Sequence, residues 1–95
     1  MKVVYRRSAL ADIENIHSFI SRKNPFAATS VVARIRNATD RLEQFPLSGR
    51  RGAIEGTHEL VVPKLPHIVV YEVSSGAVDI IAVFHAAEDR QRGPR

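Results

Sequence analysis

The residues best suited to chemistry in this 95-residue chain are an arginine pair, a carboxylate a few positions on, and four histidines. Arg50 and Arg51 sit in a run punctuated by Gly49 and Gly52. Arginine presents a planar fork of donors that suits phosphate or carboxylate. Glu59 follows as a candidate base. His58, His67 or His85 is the candidate acid, because imidazole titrates near neutrality. Together they form a reduced kit for acid–base attack at a phosphate ester: a cation for the developing charge, a base and an acid. The kit meets an obstacle at once. Neighbours along a strand point to opposite faces, so His58 and Glu59 cannot share a site through that strand. The plainer roles are a solvated loop for Arg50 and Arg51, a solvent-exposed strand start for His67 after Pro66, and a hydrogen-bonded strand end for His85.

Neither metal nor cofactor is expected. His17, His58, His67 and His85 form no close pair at ligand spacing, and no cysteine joins them. The lack of cysteine also excludes disulfides and a thiolate nucleophile. Gly49, Gly52 and Gly56 lack the strand–loop–helix setting of a nucleotide-binding fingerprint.

Periodicity supplies the elements that must position these groups. Val3, Val4 and Tyr5 favour an extended N-terminal strand. Ser8 reads as a helix N-cap, with Asp12 and Glu14 early in the helix. Leu10, Ile13, Ile16 or His17, and Ile20 give an apolar stripe that Phe19 extends. The helix is expected to stop near Arg22 or Lys23. Asn24-Pro25 is the clearest boundary: Asn24 caps a second helix and Pro25 fits its first position. Ala28, Val31, Val32, Ile35, Ala38, Leu42 and Phe45 keep the helical period up to Pro46. The short connection predicts an antiparallel helical hairpin.

Residues 46–52 read as a loop. From Thr57 the period becomes two, with His58, Leu60 and Val62 on one side and Thr57, Glu59 and Val61 on the other. A second strand is expected over His67 to Val73, a turn at Ser74-Ser75-Gly76, and a last strand, apolar on both faces, over Val78 to His85. The order β-α-α-β-β-β predicts an α+β fold of two layers, a helical hairpin packed on a C-terminal antiparallel sheet. The other sheet face also carries apolar side chains with nothing to cover it, which marks a partner site. Residues 86–95 read as a flexible basic tail.

Composition sets the frame. Hydrophobic residues are 44% and charged residues 25%, ordinary for a soluble globular domain, and the length suits one domain over 1–95. Such a domain buries roughly 60–65% of its unfolded surface, so its core is thin. No apolar run approaches the roughly 20 residues of a membrane span, and Met1 to Arg7 carries no apolar stretch of signal-peptide length. A cytoplasmic protein with no membrane partner is expected. The net charge of +4 and pI near 10.1 point to an acidic partner, nucleic acid or an acidic protein segment.

Several pieces, in order, carry a resemblance: Ala11-Asp12-Ile13, Asn24-Pro25, Pro46 with Gly49-Arg50 and Gly52, the run Gly56 to Val62, the run Ile68 to Val73, and Val83-Phe84-His85. From Ser8 to about Arg90 the chain resembles the ParE/RelE superfamily, the toxins of bacterial type II toxin–antitoxin pairs. ParE-like members bind and poison DNA gyrase. RelE-like members cut messenger RNA on the ribosome. The resemblance implies a cognate antitoxin whose C-terminal segment wraps across the hairpin and sheet. RelE-like enzymes place an arginine immediately ahead of a segment like Val69-Val70-Tyr71, where this chain has Ile68. After the last strand they carry basic and aromatic groups, where this chain has Ala86-Ala87-Glu88-Asp89. The expectation is therefore a non-enzymatic, ParE-like gyrase inhibitor with Arg50, Arg51, Arg90 and Arg92 as target-binding residues. The alternative is a ribosome-dependent endonuclease working through Arg50, Arg51, Glu59 and His85.

Overall fold

The computed structural model describes residues 1–87. The expected tail residues Arg90 and Arg92 lie outside them. The chain forms β1 (Lys2–Tyr5), α1 (Arg7–Ser21), α2 (Pro25–Asp40), a 3-10 turn (Arg41–Glu43), β2 (Arg50–Arg51), β3 (Thr57–Val61), β4 (His67–Ser74) and β5 (Ala77–His85). The two helices cover one face of a single five-stranded sheet, as the α+β pattern predicts.

The helical hairpin owes its geometry to local signals. The Asn24 side chain accepts the N–H of Ala27 at 3.1 Å, and Pro25 opens α2 where its missing N–H costs nothing. The start of α1 differs from expectation. Arg6 is the N-cap and Ser8 lies inside the helix, its hydroxyl donating to the carbonyl of Ile81 on β5. The first turn holds no acidic residue. Asp12 instead reaches across to the sheet, its carboxylate accepting the Val83 N–H at 2.9 Å. The buried stripe of α1 runs through Ala9 and Ile13 with Ile16 packed beside them, while His17, Leu10 and Phe19 face solvent. At the end of α2 the helix tightens into the 3-10 turn, which buries Leu42 and leaves Phe45 exposed. The expected stripe therefore overran by one turn.

The strand order is β1-β5-β4-β3-β2. β3, β4 and β5 form the predicted antiparallel meander, but β1 pairs parallel with β5, so the sheet is mixed. Arg50 and Arg51 leave the predicted loop to form a two-residue edge strand against Glu59 and His58. In β5 the register jumps between Tyr71↔Ile80 and Val70↔Ala82, which makes Ile81 an extra residue. Such a bulge reverses the side-chain parity beyond it. Val78 and Ile80 before the bulge, and Val83 after it, all join the core under the helices with Val69 and Tyr71. Ile68 and Phe84, a cross-strand pair on the opposite face, are also buried, at 5% and 3% exposure. That face is thus not the bare apolar surface expected. Val61 and Val4 are its exposed apolar residues, and the Arg6 guanidinium bridges Glu72 and Asp79 across it.

Candidate functional site

The arginine loop is built on Tyr71. Its side chain is fully buried in β4, and its hydroxyl accepts the backbone N–H of Gly49 at 2.9 Å. Burial raises the phenol pKa above its ordinary 10.0, opposed in part by hydrogen bonds from Gly49 and Ser48. A β-carbon at Gly49 would stand 2.7 Å from both the Glu59 carbonyl and the Tyr71 hydroxyl, so only glycine fits. At Gly52 an added β-carbon would lie 2.2 Å from the Thr57 hydroxyl. The Gly52 N–H donates to the Thr57 carbonyl at 2.8 Å and closes the loop onto β3.

This frame fixes the two arginines on opposite sides of the sheet edge. Arg50 registers with Glu59, and their side chains form an ion pair at 3.2 Å, with Glu59 13% and Arg50 62% exposed. The second Glu59 oxygen lies 3.4 Å from the Ala53 N–H. Arg51 registers with His58, whose ring packs against that of Tyr71 with centroids 5.3 Å apart.

His85 belongs to another region. It faces His67 across β4 and β5 with ring centroids 5.4 Å apart, at the strand ends remote from the loop. His67 is 6% exposed, against the expectation of a solvent-facing strand start, because it points into the layer beneath the helices rather than outward. The His85 Nδ1 accepts the Ala87 N–H at 3.0 Å, which places the proton of the neutral ring on Nε2. Both rings line an open groove of about 910 Å³ with Asp12, Phe19, Ile20 and Leu65. One strand, β4, separates His85 from the Glu59 position, and three residues of roughly 3.3 Å each separate it from the Ala82 level that registers with Val70 and Glu59. It also lies on the other face. Of the four candidate nuclease residues, the fold joins only Arg50 and Glu59. No group of three potential metal ligands occurs among the described residues.

Comparison with known proteins decides the family. Residues 3–90 match the family described as the ParE toxin of type II toxin–antitoxin systems, parDE. The chain belongs to the ParE toxin family. It is 44% identical to the Y4kP protein of Sinorhizobium fredii over 78 residues, 82% of this chain and 80% of that protein. It is 35% identical to the protein named Toxin RelE2 of Caulobacter vibrioides over 86 residues, 90% of this chain and 96% of that one. Its fold matches a structure of the chromosomal ParDE system from P. aeruginosa with a TM-score of 0.83 at 22% identity, covering 90% of this chain and 95% of that chain. The protein is thus a toxin of a type II toxin–antitoxin system, and membership implies an antitoxin partner. No helix among the described residues is long and apolar enough to cross a membrane.

The sequence reading missed two site-building residues. Tyr71 sits in an apolar run, where its phenol is the one polar handle that needs a partner. Asp12 looks like a residue serving the helix pole and instead clasps β5.

Proposed function

We propose that this toxin arrests growth by binding DNA gyrase in the cytoplasm, with no chemical step of its own, until a cognate antitoxin removes it. The observation that carries the reading is the state of Glu59. Its carboxylate is held by Arg50 and lies near the Ala53 N–H, on the face away from His85. In-line attack by a ribose hydroxyl needs base, cation and acid within hydrogen-bond reach of one phosphate. A base already paired to its own cation and separated from its acid by the sheet does not meet that need. Ile68, where RelE-like enzymes carry arginine, is buried and offers no charge for a phosphorane. Arg50 and Arg51, presented on a braced loop, suit recognition of an acidic surface instead. The groove beside α1 suits the apolar side of an antitoxin segment.

The name of the Caulobacter vibrioides relative favours the second reading, a ribosome-dependent messenger RNA endonuclease. One experiment separates the two. Purified toxin is titrated into gyrase supercoiling and DNA-cleavage assays, with antitoxin added back. Antitoxin-reversible inhibition supports the gyrase reading. Unimpaired gyrase, together with messenger RNA cut on ribosomes, replaces it with the endonuclease.

A further inference from the structure

The protein's charge is unevenly placed. Residues 15–39, which hold most of the helical hairpin, contain Arg22, Lys23, Arg34 and Arg36 and no aspartate or glutamate. The rest of the chain carries ten cations and ten anions, so the segment 15–39 holds an excess equal to the whole net charge of +4, while the acidic residues of the two helices, Asp12, Glu14 and Asp40, lie away from the turn. A solvated helical face ordinarily mixes both signs. Among the described residues, the ion pairs are made by Arg6 and Arg50, and none involves a hairpin cation. Arg36 lies over the Tyr5 ring at 4.8 Å, which leaves its charge in place.

The turn of the hairpin adds aromatic surface to that charge. Phe19 and Phe26 flank Arg22 and Lys23 and are 68% and 88% exposed. Neither belongs to the core; Phe19 and Arg22 border the open groove beside α1, whereas Phe26 lines neither that groove nor the smaller one at Ala38, Phe45 and Leu60. A ring that projects beyond these grooves, as Phe26 does, is poorly placed to seat a folded helix or peptide, which needs a concave surface. It is well placed to receive a flat partner on its face. Bases of an unpaired strand stack on aromatic rings while cations beside the rings track the phosphates.

We propose that the hairpin turn, through Arg22, Lys23, Phe19 and Phe26, binds single-stranded nucleic acid. This surface is separate from the Arg50–Arg51 loop and does not depend on which target the toxin poisons.

The test is fluorescence anisotropy of the purified full-length toxin with labelled 15-nucleotide oligothymidylate, oligouridylate and a duplex of the same length. Single strands are expected to bind more tightly than the duplex, and the two oligonucleotides show whether DNA or RNA is preferred. Phe26→Ala is expected to weaken binding about tenfold, as loss of one stacking platform does. Arg22→Glu with Lys23→Glu is expected to weaken it more and to lower the salt dependence by roughly 0.7 per cation lost. Arg51→Glu is expected to have no effect. All these side chains are exposed, and circular dichroism confirms that each variant folds. The proposal is overturned by absence of binding at low salt, by equal affinity for the duplex, or by hairpin variants that bind as well as the parent. Capture of a poly-glutamate peptide in place of the oligonucleotides likewise overturns it, and makes the turn a protein-docking surface. Gyrase is absent from this assay, so its result stands apart from the supercoiling experiment.

Discussion

The hydroxyl of Tyr71 accepts the backbone N–H of Gly49 at 2.9 Å, and this one bond ties the arginine loop to the middle of the sheet. Tyr71→Phe keeps the ring and removes the acceptor. The stranded amide is expected to cost about 1–2 kcal/mol, read as a lower midpoint in urea unfolding. Gly49→Ala is expected to cost about 1–3 kcal/mol, because its methyl meets backbone and a fixed phenol with no room to yield. A Gly49→Ala protein as stable as the parent would refute the close approach.

The same phenol sets a pH response. Its folded pKa is raised above 10.0 by burial, so the neutral form is the one the fold prefers. The stabilisation is fully present below pH 10 and is lost as pH rises through the folded value. Stability of the parent is therefore expected to fall above pH 10, and Tyr71→Phe to remove that part of the slope. Denaturant midpoints between pH 8 and 11.5 measure the difference.

Toxicity separates the two target readings at single residues. If the loop binds its target without chemistry, Arg50→Glu with Arg51→Glu reduces growth arrest at least tenfold, while Glu59→Gln and His85→Ala each stay within about threefold of the parent. Glu59 is expected to affect stability only slightly, since a pair with an exposed arginine contributes about 0–1 kcal/mol. Loss of arrest in a folded Glu59→Gln protein would restore the endonuclease. Induced expression with plate counts reads all three variants against the parent.

Asp12 joins the hairpin to the sheet through the Val83 N–H. Asp12→Ala leaves that part-buried amide without its acceptor and is expected to cost about 1–3 kcal/mol. At roughly 4–8 °C per kcal/mol for a domain of this size, the loss shows clearly in a thermal melt. Asp12→Asn keeps an acceptor oxygen and is expected to recover most of it.

Among the described residues, Lys64 is the non-glycine residue at positive φ, 66°, between Pro63 and Leu65. A side chain in that region is strained by about 1 kcal/mol, and asparagine tolerates it better. Lys64→Asn is expected to raise stability by about 0.5 kcal/mol. A decrease would show that the lysine has a role its backbone does not reveal.

What the sequence determined by itself were the features set by near neighbours. The Asn24-Pro25 cap, the change of period from helix to strand at Thr57, and the Gly76 turn each depend on a few adjacent residues. Their energies are local, and their order along the chain already resembles the toxin superfamily. The opposition of His58 and Glu59 was also legible, because strand alternation needs no partner. Tertiary structure decided the rest. Val3 to Tyr5 would suit several sheet edges, and only the fold places them parallel to β5. Arg50 and Arg51 become a strand only because Glu59 and His58 offer an edge beside them. The extra residue at Ile81 turns Val83 toward the core and so decides which face the end of β5 presents. Pairing partners distant in sequence set these outcomes, and no short window contains both halves of a cross-strand pair. That is why Arg50, Arg51, Glu59 and His85 form a plausible site when read along the chain and divide into separate regions when folded.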